Sequence, residues 1–336
     1  MASLGISRRD FVVLGASTAL CWPLGASAQQ VTAARPGVPL IGVLNMQTES
    51  SEQARLAAYQ RGLQDAGFIV GRNVAIEHRY ADGRNDRLAT LAAELVQRPI
   101  AVLLANTTPP AIAAKTATTT IPIVFLTGVD PVKVGLVESL NRPGGNVTGV
   151  TFLVNLMVSK RLELLSDVVP KTASIGMLAD RNNLNADGDI KDTQAAAAAM
   201  GRTLQVEKVA GPAEIEPAIV GFVQKGVAGL FIGPNANFRI WHPQILALAA
   251  RHSLPTSFST SDLVTAGGLM SYGPDQLDSY RQAGQLTARI LKGEKPATLP
   301  VMQATKFDFA LNLRTAKALG LAISPTMLAL ATTVIE

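Results

Sequence analysis

Six short polar clusters recur along this chain, each placed directly after an apolar, strand-like run. They are Gln47-Thr48-Glu49, Asn106-Thr107-Thr108, Thr127-Gly128-Val129-Asp130, Asp180-Arg181-Asn182-Asn183, Asn235-Ala236-Asn237 and Thr260-Ser261-Asp262. In an open parallel sheet, ligands bind just beyond the carboxyl ends of the strands, so clusters from two sheets can converge on one cleft. Hydroxyls beside the free amides of helix starts hold a carboxylate well. Asp130, Asp180 or Asp262 can take an amine. Each of these residues can equally cap the helix that follows, a job that suits Thr48, Thr108, Asp130 and Ser261. The candidate contacts are therefore Thr48, Asn106, Thr107, Thr108, Thr127, Asp130, Asp180, Asn182, Asn235, Thr260 and Ser261. Phe152, Phe238 and Tyr272 are candidate aromatic walls that can equally be core.

Catalytic and metal-binding patterns are missing. There is no G-x-S-x-G elbow, no H-E-x-x-H and no glycine-rich loop ending in Gly-Lys-Ser/Thr. His78, His242 and His252 stand apart from one another and from any cysteine or carboxylate at metal-ligand spacing. Gly144-Gly145 has Arg142 nearby, but no helix opens after it, so it reads as a turn. The expectation is a binding protein and not an enzyme, with no cofactor and no metal.

The elements that position these clusters alternate regularly. Strands are expected over Leu40–Asn45, Asn73–Tyr80, Ile100–Ala105 and Ile121–Leu126. Helices are expected after each, the first carrying Leu56, Tyr59, Leu63 and Ala66 on one face and the fourth spanning Val132–Leu140. The turn cluster Asn141-Arg142-Pro143-Gly144-Gly145-Asn146 interrupts the rhythm, an extended Val147–Phe152 follows, and a second series begins. That series has strands near 174–178, 204–209, 227–232 and 254–259, and helices near 160–168, 189–200, 213–224 and 240–250. Two such series imply an α/β protein of two doubly wound parallel sheets. A short strand at 268–272, a helix at 277–291 and an unpartnered strand at 306–312 then place chain crossings near Gly149, Gly273 and Pro296. Several crossings make a hinge with a cleft between the lobes. The expected boundaries are 38–150 for the first lobe and 151–272 for the second, with 273–336 returning between them.

The first 28 residues read as an export signal. Ser7-Arg8-Arg9-Asp10-Phe11 precedes a short apolar run, and Ala26-Ser27-Ala28 is an A-x-A cleavage site. The paired arginines match a twin-arginine signal, although the segment also suits the general secretory route. The run is shorter than the ~20 residues a bilayer span needs, and Pro23 breaks it. Leu20 stands before Cys21 where lipidation would require a small residue. Cleavage leaves roughly 300 residues, which suits two domains of ~150 residues each. It also removes the single cysteine, so no disulfide can stabilise the exported chain. Hydrophobic residues make up 48% of the sequence, enough for stability through burial alone. The net charge of +5 is scattered without basic runs, which argues against a nucleic-acid partner.

The chain also resembles a family. Asp130-Pro131, Gly135-Leu136-Val137 and Leu140-Asn141-Arg142-Pro143-Gly144-Gly145-Asn146-Val147-Thr148-Gly149 look like the periplasmic substrate-binding proteins of ABC transporters. The branch is the one that includes tryptophan- and other aromatic-amino-acid-binding members. Gly267-Gly268-Leu269-Met270-Ser271-Tyr272-Gly273 is similar to a second family block. Ile290-Leu291-Lys292-Gly293, Lys306-Phe307, Asn312-Leu313 and Ala316–Leu321 resemble a third. The resemblance implies a type I periplasmic-binding fold: two Rossmann-like doubly wound lobes joined by a multi-strand hinge, with one ligand in the cleft. It implies that Thr107, Thr108 and Thr127 hold a ligand carboxylate while residues near Asp180, Asn235 and Thr260 close over it. The chain departs from the family at Asp180-Arg181, where many relatives carry Asn-Pro, and at Phe258–Asp262. The implied role is the extracytoplasmic solute-binding subunit of an importer. It would act as a monomer in the periplasm and deliver an amino acid or organic acid to an inner-membrane permease with its ATPase subunit. The alternative is a periplasmic sensor that presents its closed form to a membrane receptor.

Overall fold

The structure is a computed structural model that describes residues 37–152, 157–183 and 185–336. The expected export signal at 1–28 lies outside these residues. The first series comprises β1 (Leu40–Asn45), α1 (Glu49–Asp65), β2 (Ala75–Tyr80), α2 (Leu88–Val96), β3 (Ile100–Asn106), α3 (Thr108–Ala117), β4 (Ile123–Thr127) and β5 (Val147–Thr151). The second comprises α4 (Val158–Ser166), β6 (Ser174–Asp180), α5 (Ala186–Ala199), β7 (Leu204–Val209), α6 (Pro212–Gln224), β8 (Val227–Ile232), α7 (Asn237–Arg251), β9 (Thr256–Phe258), α8 (Asp262–Thr265) and β10 (Met270–Pro274). The chain ends with α9 (Gln276–Leu291), β11 (Met302–Gln303), β12 (Phe307–Asn312), α10 (Leu313–Ala318), α11 (Pro325–Leu330) and β13 (Thr333–Ile335).

Two sheets result. The first runs β2-β1-β3-β4-β5-β11 and is parallel throughout. The second runs β7-β6-β8-β9-β10-β12-β13 and is parallel except where β12 meets β10. The strand alternation shows why both faces need cover. Leu44, Leu103 and Phe125 enter one core of the first sheet, while Val43, Val102 and Val124 enter the other. Helix α9 follows β10 of the second sheet but packs on the first: Tyr280, Ala283 and Leu286 join the core that contains Tyr59 and Leu63 of α1. Their backbones touch through glycine. A Cβ on Gly62 would overlap the Arg281 carbonyl, and one on Gly284 the Tyr59 carbonyl.

The chain therefore changes lobe three times: between β5 and α4, between β10 and α9, and between β11 and β12. The last passage falls at 304–306, later than Pro296, because β11 first pairs with β5 through Met302 and Val150. The fourth helix expected over Val132–Leu140 does not form. Gly135 sits at φ 68, and the Leu136 amide reaches back to the Pro131 carbonyl, so the segment is a series of turns. Among the described residues, no helix is long and apolar enough to cross a membrane.

Candidate functional site

The carboxyl ends of β1, β3 and β4 in one lobe and of β6, β8 and β9 in the other face a shared cavity of about 150 Å³. Five sequence-predicted residues line it: Thr107 and Thr108 from the first lobe, and Asn182, Asn235 and Thr260 from the second. Phe152, Phe238, Phe258 and Tyr280 supply aromatic wall.

Thr107 adopts φ 82 and ψ 164, a region that is essentially glycine's alone. Holding a β-branched residue there costs about 1–3 kcal/mol, and such strain clusters at ligand clamps. Its Oγ1 is buried with no hydrogen-bond partner, as is Oγ1 of Thr260 across the cavity. Thr108 Oγ1 lies 2.7 Å from Thr127 Oγ1, so the buried Thr127 acts from behind the lining. The expected helix-start amides are few. Thr108 begins α3, but Pro109 and Pro110 follow and carry no N–H. At the start of α3 the first lobe therefore presents two hydroxyls and the Thr108 amide, not a row of free amides.

The other candidates support the loops around the cavity. Asn106 is fully buried; its Oδ1 accepts from the Met46 amide, and its Nδ2 donates to Asn45 and Glu52. Asp180 accepts from the Asn182 amide at 2.8 Å and from Asn237 Nδ2 at 2.7 Å, while Asn235 Oδ1 accepts from the Asn237 amide. Asp130 Oδ1 accepts from Val132 N in a turn outside the lining. Thr48 precedes α1 without a side-chain cap and bonds Ser51. The Ser261 carbonyl accepts from Val264 and Thr265 in α8. Tyr272 stacks on Phe307, with ring centroids 6.4 Å apart, and meets Phe309 edge-on, away from the cavity.

The charged lining went unnoticed in the sequence. Glu52 and Arg55 occupy the inward face of α1, both buried. Glu52 Oε2 accepts from Asn106 Nδ2 at 2.9 Å and from Tyr280 Oη at 3.2 Å, and Oε1 lies 3.7 Å from Arg55 Nη1. Burial raises the Glu52 carboxyl above its ordinary range, with Arg55, Tyr280 and Asn106 opposing that rise. Asp189 from α5 and Arg239 from α7 line the opposite lobe. Polar contacts also bridge the lobes directly. Gln47 Nε2 donates to the Ala236 carbonyl at 3.0 Å, and Arg239 Nε donates to Gln47 Oε1 at 3.2 Å. Asp262 receives Arg239 Nη2 at 2.6 Å and Arg55 Nη2 at 3.6 Å. These bridges hold the cleft in a closed form.

A cavity shared by two sheet ends, with chain crossings as its hinge, defines a two-lobed solute-binding protein of the type I periplasmic-binding class. The family model for ABC transporter substrate binding proteins matches residues 41–335, and the chain belongs to that family. A tyrosine-binding protein of Clostridioides difficile (strain R20291) is 27% identical over 282 residues, covering 84% of this chain and 81% of that one. The crystal structure of an ABC domain in complex with L-Trp, from Streptococcus pneumonia, matches at TM-score 0.81 and 26% identity, covering 89% of this chain and all of that one. A ligand-free, open structure of a substrate binding protein with adhesive properties from Clostridium difficile matches at TM-score 0.66 and 25% identity, covering 89% and 99%.

Proposed function

We propose that the chain is the extracytoplasmic solute-binding subunit of an ABC importer. It captures an aromatic amino acid or a similar carboxylate-bearing solute between its lobes and hands it to a permease. The observation that carries this reading is the interlobe cavity itself. It combines unpartnered hydroxyls at Thr107 and Thr260 with aromatic walls from Phe152, Phe238 and Phe258. A cavity of this volume accommodates a benzene-sized ring. The tyrosine-binding relative and the L-Trp complex support the same solute class.

Binding works by stabilising closure, because contacts from both lobes exist together only in the closed form. Turning a mostly open population into a mostly closed one takes about 5.5 kcal/mol of preference. The Gln47–Ala236 and Arg239–Gln47 bridges form with or without ligand and so set the starting ratio of open to closed; charge-assisted bonds to the ligand at ~1.5–3 kcal/mol each supply the preference. The permease then reads the spacing of the closed lobes, and the ligand leaves chemically unchanged.

The test is thermal unfolding of the exported chain with each amino acid and a set of simple carboxylic acids. A ligand at 100 times its Kd adds about 2.7 kcal/mol, a rise of several degrees. L-Tryptophan, L-tyrosine or L-phenylalanine should give the largest rise, and Thr108→Ala should weaken that ligand roughly tenfold, the worth of about one hydrogen bond. No rise with any solute would overturn the reading.

A further inference from the structure

Two carboxylates line the cavity from deep burial, Glu52 at 2% and Asp189 at 3% exposure. A buried carboxylate is expensive unless a cation or several donors compensate it. Glu52 has Arg55, Tyr280 and Asn106, so its charge is met within the protein. The guanidinium of Arg239 is likewise met, by Asp262 at 2.6 Å.

Asp189 differs. Its Oδ2 accepts from Asn183 Nδ2 at 3.0 Å, and its Oδ1 accepts from Asn185 Nδ2 at 2.6 Å. Both contacts come from neutral amide NH2 groups, which can only donate, so the arrangement suits an acceptor and leaves a lone pair on each oxygen. Among the described residues no cation lies within 4.0 Å of it. The nearest influence of that sign is Arg161, fully buried on α4. Its Nη2 donates to the carbonyls of Ile232 at 2.7 Å and Ser257 at 2.9 Å, and its carbon centre lies over the Phe231 ring at 4.2 Å. Thr260, on the same side of the cavity, has a buried Oγ1 without a partner.

From this we infer that Asp189 is the residue that recognises a cationic nitrogen on the ligand, with Thr260 Oγ1 as a second acceptor, and that it restricts the cleft to solutes bearing a protonated amine. The assignment rests on the reading of the cavity as a solute site. It departs from the three aspartates that stand at the strand ends: Asp180 and Asp130 lie outside the lining, bonded to Asn182 and Asn237 and to Val132, and Asp262 is ion-paired. Burial also pushes the Asp189 carboxyl up to about 6; the donors Asn185 and Asn183 oppose this, Asp192 on the same helix adds to it, and Arg161 opposes it weakly. A ligand ammonium would supply the missing charge and hold the carboxyl ionised.

The experiment is calorimetric titration of the wild type and Asp189→Asn with L-tryptophan, L-tyrosine and L-phenylalanine. Each is paired with its desamino acid: indole-3-propionate, 3-(4-hydroxyphenyl)propionate and 3-phenylpropionate. The expected result is that the wild type prefers the amino acid by about 100-fold, which two charge-assisted bonds can supply. Asp189→Asn should then lose that preference, binding both members of each pair with the wild type's affinity for the desamino acid. A wild-type pH series keeps the test valid if the variant folds poorly. Amino-acid affinity should fall up to tenfold per pH unit below about 6, while desamino affinity stays flat. An Asp189→Asn protein that keeps its amino-acid affinity within threefold overturns the assignment but leaves solute capture intact. So does a wild type that binds the desamino acids equally well. A wild type that binds no solute of any class overturns solute capture and the assignment with it.

Discussion

Glu52 and Asp189 face the same cavity from opposite lobes, yet their surroundings are built on different plans. The first lobe surrounds its carboxylate with a guanidinium, a phenol and an amide drawn from α1, α9 and β3. The second gives its carboxylate only two asparagine amides, both from the loop that precedes α5. One charge is satisfied before any solute arrives; the other is oriented but not neutralised. A lobe of the first kind is a finished surface whose value is rigidity. A lobe of the second kind is incomplete alone, and the solute's charge completes it. Discrimination between solutes is therefore expected from the second lobe and stability from the first.

The largest break in this comparison is Arg55→Met. It removes the cation from Glu52 and the guanidinium contact to Gln276 Oε1, which Arg55 Nε makes at 2.7 Å. Stranding one member of a buried pair costs 3–5 kcal/mol, and proton uptake by Glu52 holds the loss to about 3 kcal/mol. Scanning calorimetry should show the melting temperature falling by roughly 5 °C for a chain of this size. The double variant Glu52→Gln/Arg55→Met should recover much of that. A single variant that melts with the wild type would mean that the first lobe does not depend on this pairing.

A finer test sets two groups of opposite sign against each other. The Asp189 carboxyl is raised to about 6, above its unfolded value, so its contribution is fully present below the unfolded pKa and lost as pH rises through 6. His78 in the first lobe is lowered to about 4 by burial, and its Nδ1 is buried without a partner. Its contribution is present above the unfolded value and lost as pH falls through 4. In the unliganded wild type the two offset one another between pH 6.5 and 4. Urea unfolding across that window should show Asp189→Asn losing roughly 2 kcal/mol on acidification relative to the wild type, and His78→Gln gaining a similar amount. Parallel curves for all three proteins would refute the contrast.

Much of this was legible before any coordinates. Alternation of apolar runs with turn clusters placed every strand of the two main series, and the rule that ligands sit at strand carboxyl ends picked out Thr107, Thr108, Asn182, Asn235 and Thr260. What stayed hidden has a common physical cause. Glu52 and Arg55 are charged residues on a surface-type helix, and such residues normally face water; here Asn106 at the end of β3 and Gln276 and Tyr280 of the returning α9 cover them. Asp189 opens an alanine-rich helix, where acidic residues commonly serve the helix end. Tyr272 belongs to the aromatic set only by type, because the pleat of β10 directs it toward β12 and its Phe307 and Phe309. The Val132–Leu140 helix failed on one backbone angle, the left-handed Gly135, which hydrophobic spacing does not register. Periodicity reports which face is apolar within an element; it does not report which element arrives later to cover a polar one.

The smallest expected effect lies at the rim, where neither lobe's plan applies. Asp262 is 43% exposed, and it joins Arg239 of its own lobe to Arg55 of the other. Only the Asp262 end of these pairs is exposed, and solvent and salt screen it there, so each pair is worth about 1 kcal/mol. Asp262→Asn should therefore leave the melting temperature within a degree or two of the wild type. It should still favour the open form, since the 3.6 Å contact to Arg55 exists only when the lobes are together. Ligand dissociation measured by stopped flow should accelerate by about two- to fivefold, a factor that corresponds to the sub-kilocalorie worth of such a pair. The acceleration should shrink as salt is added, because salt weakens the wild-type contact and leaves the variant little to lose. An off-rate that rises by orders of magnitude would place Asp262 beside Asp189 as a ligand contact and shift the division between stability and discrimination out to the rim.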